Sequence, residues 1–162
     1  MKNNMVKFVL AICIGSLITS CNGKTGEVSA PAAVDKEQIK NEIQAKENEF
    51  AKVYNSGELK EIGYYADDAT SFYQNRPPLV GKDSIIAFLK SDLVDNSNVI
   101  TFTTKDVFVS SDGNQVVEVG NFKLVDSANT VINTGNYMSL FEKRDGKYVS
   151  VRDMSASDNP LK

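Results

Sequence analysis

Asn136-Tyr-Met-Ser-Leu-Phe-Glu-Lys-Arg-Asp-Gly-Lys-Tyr-Val-Ser-Val-Arg-Asp153 is the stretch on which the fold turns. Two runs of alternating apolar and polar residues flank Asp145-Gly146, and a two-residue loop of that composition favours a type I′ turn, which fixes register as well as direction. With Arg144 opposite Lys147, an unbroken ladder pairs Glu142 with Val149, Leu140 with Val151 and Met138 with Asp153 on one face. Phe141 with Ser150 and Ser139 with Arg152 fall on the other. Asp153 then stands in an otherwise apolar row.

Upstream, the alternation continues over Val99 to Val109, Gln115 to Val125 and Thr130 to Lys143, with the last strand running from Lys147 to about Asp153. Asp112-Gly113 and Asp126-Ser-Ala-Asn129 supply the turns between them. Before the strands come helices. Asp35 is placed to cap the first, with Gln38 three residues on; Ile39, Ile43, Phe50, Val53 and Tyr54 follow at helical spacing until Asn55-Ser56-Gly57 stops it. Leu59, Ile62, Tyr64 and Tyr65 suggest a short second helix. Thr70 to Gln74 reads as a short strand, and Asn75 to Gly81 as a loop in which Pro77 and Pro78 remove two amide donors. A third helix is expected over Asp83 to Leu93. Helices followed by a meander of strands define an α+β domain, its N-terminal helices packed on a curved, mainly antiparallel sheet of about six strands.

The chain has 162 residues, a net charge of −3 and no histidine. One domain is expected from that length. The acidic balance supplies no basic stripe for nucleic acid, and the absence of histidine excludes His-based triads and His metal sites. Any acid–base work falls to Asp, Glu, Tyr or Lys. No cofactor is expected. Asp67 and Asp68 have no third or fourth ligand at useful spacing, so no metal is expected either.

Lys2 and Lys7 precede an uncharged apolar run from Phe8 to Ile18, short for a permanent span and suited to a signal peptide. Its end, Ile18-Thr19-Ser20-Cys21, resembles the bacterial lipobox. That resemblance implies cleavage after residue 20, lipidation of Cys21 and attachment to a membrane of the bacterial cell envelope, facing periplasm or exterior. Residues 21–34 are rich in Gly, Ser, Ala, Pro and Lys, a flexible tether, and the domain proper is expected over 35–162.

The order helix, short helix, Tyr65-Ala-Asp-Asp-Ala-Thr70, loop, Gly81-Lys-Asp-Ser-Ile85, helix and four strands, with Gly135-Asn-Tyr137 and Lys143-Arg-Asp-Gly-Lys-Tyr148, resembles the nuclear transport factor 2-like superfamily. It is similar in particular to SnoaL-like and ketosteroid-isomerase-like domains. The resemblance implies a cone of about six strands and three helices with a cavity under the concave sheet face, and a homodimer through the convex face. Aligned on steroid isomerases, Tyr73 stands at the catalytic base, with Phe50 and Met138 at the two oxyanion donors. That mechanism is therefore not expected here. The Asp–His pair of polyketide cyclases is excluded by composition.

The same alignment and the hairpin ladder assign the cavity face to Asn136, Met138, Leu140, Val151 and Asp153, joined by Val117, Val119 and Asn121. Phe50, Tyr54, Phe72 and Tyr73 would close the mouth. The opposite, convex face would collect Glu118, Phe122, Tyr137, Phe141, Tyr148 and Arg152, with Glu118, Arg152 and Tyr137 forming a polar cluster. Tyr64, Tyr65 and Tyr73 either stack on an aromatic ligand or form an aromatic core. Asp153 either works as an acid or base, its pKa raised by partial desolvation, or holds the chain end by accepting from Tyr73 or from the backbone of residues 154–157. Three functions follow. The domain is a lipid-anchored binder of a small apolar or aromatic molecule; or an isomerase, dehydratase or cyclase with Asp153 as base and Tyr73 as donor; or an accessory dimerising subunit with a filled cavity.

Overall fold

The structure, a computed structural model, describes residues 34–93 and 97–160. The expected signal peptide over 1–20, Cys21 and the tether up to residue 33 lie outside the described residues.

Helix α1 spans Lys36–Ser56, and it starts and stops where the sequence says it should. The Asp35 carboxylate accepts from the Gln38 amide at 3.0 Å, and Gly57 closes the helix in the left-handed region at φ 77°. The Leu59 segment is one 3-10 turn, Leu59–Glu61, rather than a helix, because Gly63 and the strand that follows leave no room for a second turn. Strand β1 runs over Tyr65–Phe72, earlier than expected, and takes in Asp67 and Asp68, whose side chains point to solvent. After Pro77 and Pro78 the chain makes a two-residue strand β2, Leu79–Val80, within the segment expected to be a loop. Helix α2 covers Lys82–Leu93. Strands β3 (Val99–Val109), β4 (Gln115–Val125), β5 (Val131–Arg144) and β6 (Lys147–Ser157) complete the chain. The sheet has six strands in the order β2-β1-β6-β5-β4-β3, antiparallel except for the β1–β6 pair.

Helix α1 lies against the free edge of β3, and two of its amide side chains finish the ladder there. Gln44 donates to the Phe102 carbonyl at 3.2 Å and accepts from the Thr104 amide at 2.8 Å. Asn55 does the same for Ile100, at 2.9 and 3.0 Å. An edge that would otherwise template another strand is thereby covered, and that side of the space under the sheet is closed.

The hairpin register holds as far as Phe141 opposite Ser150 and then shifts. Leu140 faces Arg152, Ser139 faces Asp153 and Met138 faces Met154, with Val151 as the extra residue of a β-bulge. A one-residue slip moves every later side chain of β6 to the other face of the sheet. Asp153 therefore joins the row of Tyr137, Ser139 and Phe141. That row, together with Glu118 and Tyr148, is the buried one.

Up to the bulge the strand residues fall into the two groups expected, but the interior is the other group, and beyond the bulge Arg152 and Asp153 change places. Asn136 is exposed, Met138 is 45 % exposed, and Phe72 at 41 % faces outward from β1. Leu140 is only partly buried, and Val151 belongs to the core. Arg152 is outside, donating to the carbonyls of Asp68 and Val151, so it forms no cluster with Glu118.

Two glycines explain how the bulky row fits inside. Gly120 lies opposite Tyr137 and Gly135 opposite Phe122. A Cβ on Gly120 would stand 2.3 Å from the Tyr137 ring, and one on Gly135 2.3 Å from the ring of Phe122. Each glycine is the space that its cross-strand aromatic ring occupies.

Candidate functional site

Between α1, α2 and the concave face lies a cavity of about 300 Å³. Its apolar wall comes from Phe50 and Tyr54 on α1, Phe88 and Leu89 on α2, and Ile100, Phe102, Phe122 and Leu124 on β3 and β4. Phe50 is the hub, with ring centroids 4.9 Å from Tyr64, 5.6 Å from Phe102 and 6.0 Å from both Tyr54 and Tyr65. Tyr64, Tyr65, Tyr73, Tyr137, Ser139 and Ser155 add hydroxyls to the wall, and Glu47, Asp92 and Asp153 add carboxyls.

Of the residues expected to bind a ligand, the structure brings Phe50, Tyr54, Tyr73 and Asp153 to this wall. It does not bring Phe72, Asn136, Met138, Leu140 or Val151, which the bulge and the inverted faces place elsewhere. Asn136 instead accepts from Asn121 and donates to Asp158. Nor do Val117, Val119 and Asn121 reach the wall; Phe122, Tyr137 and Ser139 do.

The carboxyls form two centres. In the first, Glu118 is fully buried, its Oε1 accepting from Thr104 at 2.5 Å and Tyr137 at 2.8 Å. Its Oε2 has no partner, and the Glu47 side chain is the neighbouring carboxyl. Glu47 also receives the Tyr64 hydroxyl at 2.5 Å, and Ser139, 3.3 Å from that hydroxyl, completes the chain as donor. Burial raises both glutamates, Glu47 well above the usual carboxyl range, and the Glu118 charge raises Glu47 further. Two carboxyls this close in an apolar setting cannot both ionise. Glu47 is the more strongly raised of the two, and a proton held there would give the orphaned Glu118 Oε2 a donor.

The second centre is Asp153. Its Oδ2 accepts from Tyr65 at 3.4 Å, a weak bond, and its buried Oδ1 has no partner. The donor is thus Tyr65 and not Tyr73, and residues 154–157 are held in the β5–β6 ladder rather than by this carboxylate. Ser71, opposite Asp153 in the parallel pair, has a buried hydroxyl that is likewise without a well-formed bond. Burial lifts Asp153 to about 6, with nearby hydroxyls only partly offsetting it. Burial, and then the Asp153 charge, pushes Tyr73 up to about 12 and raises Tyr65 strongly, so both remain neutral donors. At the rim, the Tyr54 hydroxyl donates to Asp92 at 2.7 Å.

Glu47 was absent from the sequence reading, although its signal was there. Ile43, Glu47, Phe50 and Tyr54 follow at steps of four, three and four, so the helix that buries three of them must bury the fourth. Among the described residues, no three carboxyls converge closely enough to hold a metal ion.

A buried aromatic cavity under a curved sheet, with a few inward carboxyls and hydroxyls, defines a class of α+β pocket domain. The chain belongs to the SnoaL-like domain family, whose model matches residues 48–151. Solved structures agree on the fold. A domain of unknown function with a cystatin-like fold from Nostoc punctiforme PCC 73102 superposes with a TM-score of 0.66 at 15% identity, covering 78% of this chain and 82% of that one. A ketosteroid isomerase-like protein from Erwinia carotovora atroseptica gives 0.60 at 18% identity, covering 76% and 98%. A nuclear transport factor 2-like protein of unknown function from Shewanella oneidensis MR-1 gives 0.59 at 22% identity, covering 74% and 98%. No curated protein matches the chain.

Proposed function

We propose that this domain binds a small, mostly apolar molecule in the cavity under the sheet and holds the molecule's polar end at Asp153. The carrying observation is Asp153, a carboxyl residue on the wall of a 300 Å³ aromatic cavity whose buried Oδ1 has no well-formed hydrogen bond, only the Ser71 hydroxyl alongside. Leaving such an atom unpaired is costly, and a ligand donor would relieve that cost. The lipobox-like Ile18-Thr19-Ser20-Cys21 supports a binder carried on a lipid anchor in the cell envelope. Titration with the neutral fluorescent probe N-phenyl-1-naphthylamine tests the pocket. Saturable binding that is lost in Ser155→Trp, which fills the cavity from β6, is expected; equal binding by both proteins would remove the cavity as the site.

Catalysis is the second reading, and the pKa of Asp153 favours it: a carboxyl lifted to about 6 is poised to take and return a proton near neutral pH. Asp153→Asn separates the two readings. It abolishes turnover of any substrate that the pocket binds if Asp153 is a base, and only weakens binding if it orients.

The outer face supports a second copy of the chain as partner. Phe72, Met154, Met138 and Val119 are register neighbours across β1, β6, β5 and β4, an apolar row of which Phe72, Met138 and Met154 are exposed and Met154 also borders the cavity. These are not the residues expected at the convex face, most of which lie in the core or the cavity wall.

A further inference from the structure

We propose that the ligand of this cavity is a small organic cation, an amine or quaternary ammonium bearing apolar groups; this deepens the pocket reading above and rests on it. Three observations converge. Among the described residues lining the cavity, Glu47, Asp92 and Asp153 are acidic and none is Lys or Arg. Glu47 belongs to a buried pair with Glu118 in which burial pushes both carboxyls toward the protonated form, so the carboxyls left to face an occupant are those of Asp92 and Asp153. In a space of low dielectric these charges are poorly screened and favour a positive occupant.

The second observation is the unpartnered, buried Asp153 Oδ1 beside Ser71 and Tyr65. A neutral ligand could donate there, but only a cation also balances the charge. The third is the wall itself. Phe50, Tyr64, Tyr65, Phe102 and Tyr137 all line the cavity and meet one another mainly edge to face. Aromatic faces surrounding a cavity attract cations through the ring quadrupole. One lining ring already holds one: the Arg76 guanidinium lies 4.0 Å over the centroid of Phe88. The carboxyls do not converge to chelate a metal, and the apolar wall gives an ion nothing with which to replace its water, so the cation must carry its own apolar surface.

The test compares two probes of one shape on the full-length protein: benzyltrimethylammonium and its uncharged carbon isostere, neopentylbenzene, each displacing N-phenyl-1-naphthylamine. The ammonium is expected to bind at least about tenfold tighter, and Asp153→Asn to erase most of that preference while the isostere's affinity changes little. The wild-type comparison stands even if the variant folds poorly. Equal or tighter binding of the isostere overturns the cation inference and leaves the pocket reading intact, as does displacement by neither probe while the dye still binds. Failure of the dye itself to bind overturns both.

Discussion

Ser139 stands directly opposite Asp153 across the β5–β6 pair, one position away from where an unbroken hairpin would put it. That displacement, caused by Val151, turns Asp153 inward, where its Oδ2 takes one weak bond from Tyr65 and its Oδ1 none.

Its stability signature follows from linkage. Burial raises Asp153 from 3.8 in a free side chain to about 6, so in that interval the folded protein keeps a proton that the unfolded chain has lost. The carboxyl costs nothing below the lower value, and the cost is complete above the upper one. Wild-type stability therefore falls as pH rises through this window. Asp153→Asn, which carries no charge to bury, gains over wild type across the same window and holds a plateau of about 3 kcal/mol above it. Urea denaturation from pH 4 to pH 8 checks this; a pH-independent difference would show that Asp153 is not the group responsible.

The Glu47–Glu118 pair makes a different prediction. Glu47→Gln keeps a donor toward Glu118 and an acceptor for Tyr64, and is expected to be nearly neutral. Glu47→Ala strips both partners and should cost roughly 2–4 kcal/mol. Equal losses in the two variants, measured by the same denaturation, would refute the shared proton.

Gly120→Ala places a methyl where the Tyr137 ring lies and must push that ring from Glu118. A loss of roughly 1–3 kcal/mol is expected, with a change in near-ultraviolet circular dichroism from the displaced tyrosine. An unchanged spectrum would mean that the ring can move freely.

Much of the architecture is legible because local chemistry sets it. Asp35 and Gly57 bound α1, and Asp145-Gly146 fixes the last hairpin; β3 and β4 end where their alternation ends. The site was less legible for two reasons. A bulge at Val151 has no signature, since valine is an ordinary strand residue, yet it reverses the meaning of every position after it. The interior face was also misassigned, although Phe122, Tyr137, Phe141 and Tyr148 form the bulkier row and the glycines opposite two of them mark where rings must fit. Asp153 was placed in the cavity by two errors that cancelled, a wrong register and an inverted face.

The apolar row on the outer face predicts a dimer at micromolar concentration that Met138→Lys with Met154→Lys converts to monomer. Light scattering coupled to size exclusion reads the mass, and the far-ultraviolet spectrum should stay unchanged. A wild-type monomer would leave the row to another partner.

Lipidation is tested by labelled palmitate in the native host. Incorporation that Cys21→Ser abolishes is expected; label retained in that variant would place the anchor elsewhere.

The central claim is that the cavity holds a small molecule, and native mass spectrometry of the protein purified from its own host tests it most directly. A reproducible added mass on the wild-type chain that disappears in Ser155→Trp is the predicted result. A bare mass in both proteins, or an adduct that the filled cavity still retains, would contradict it.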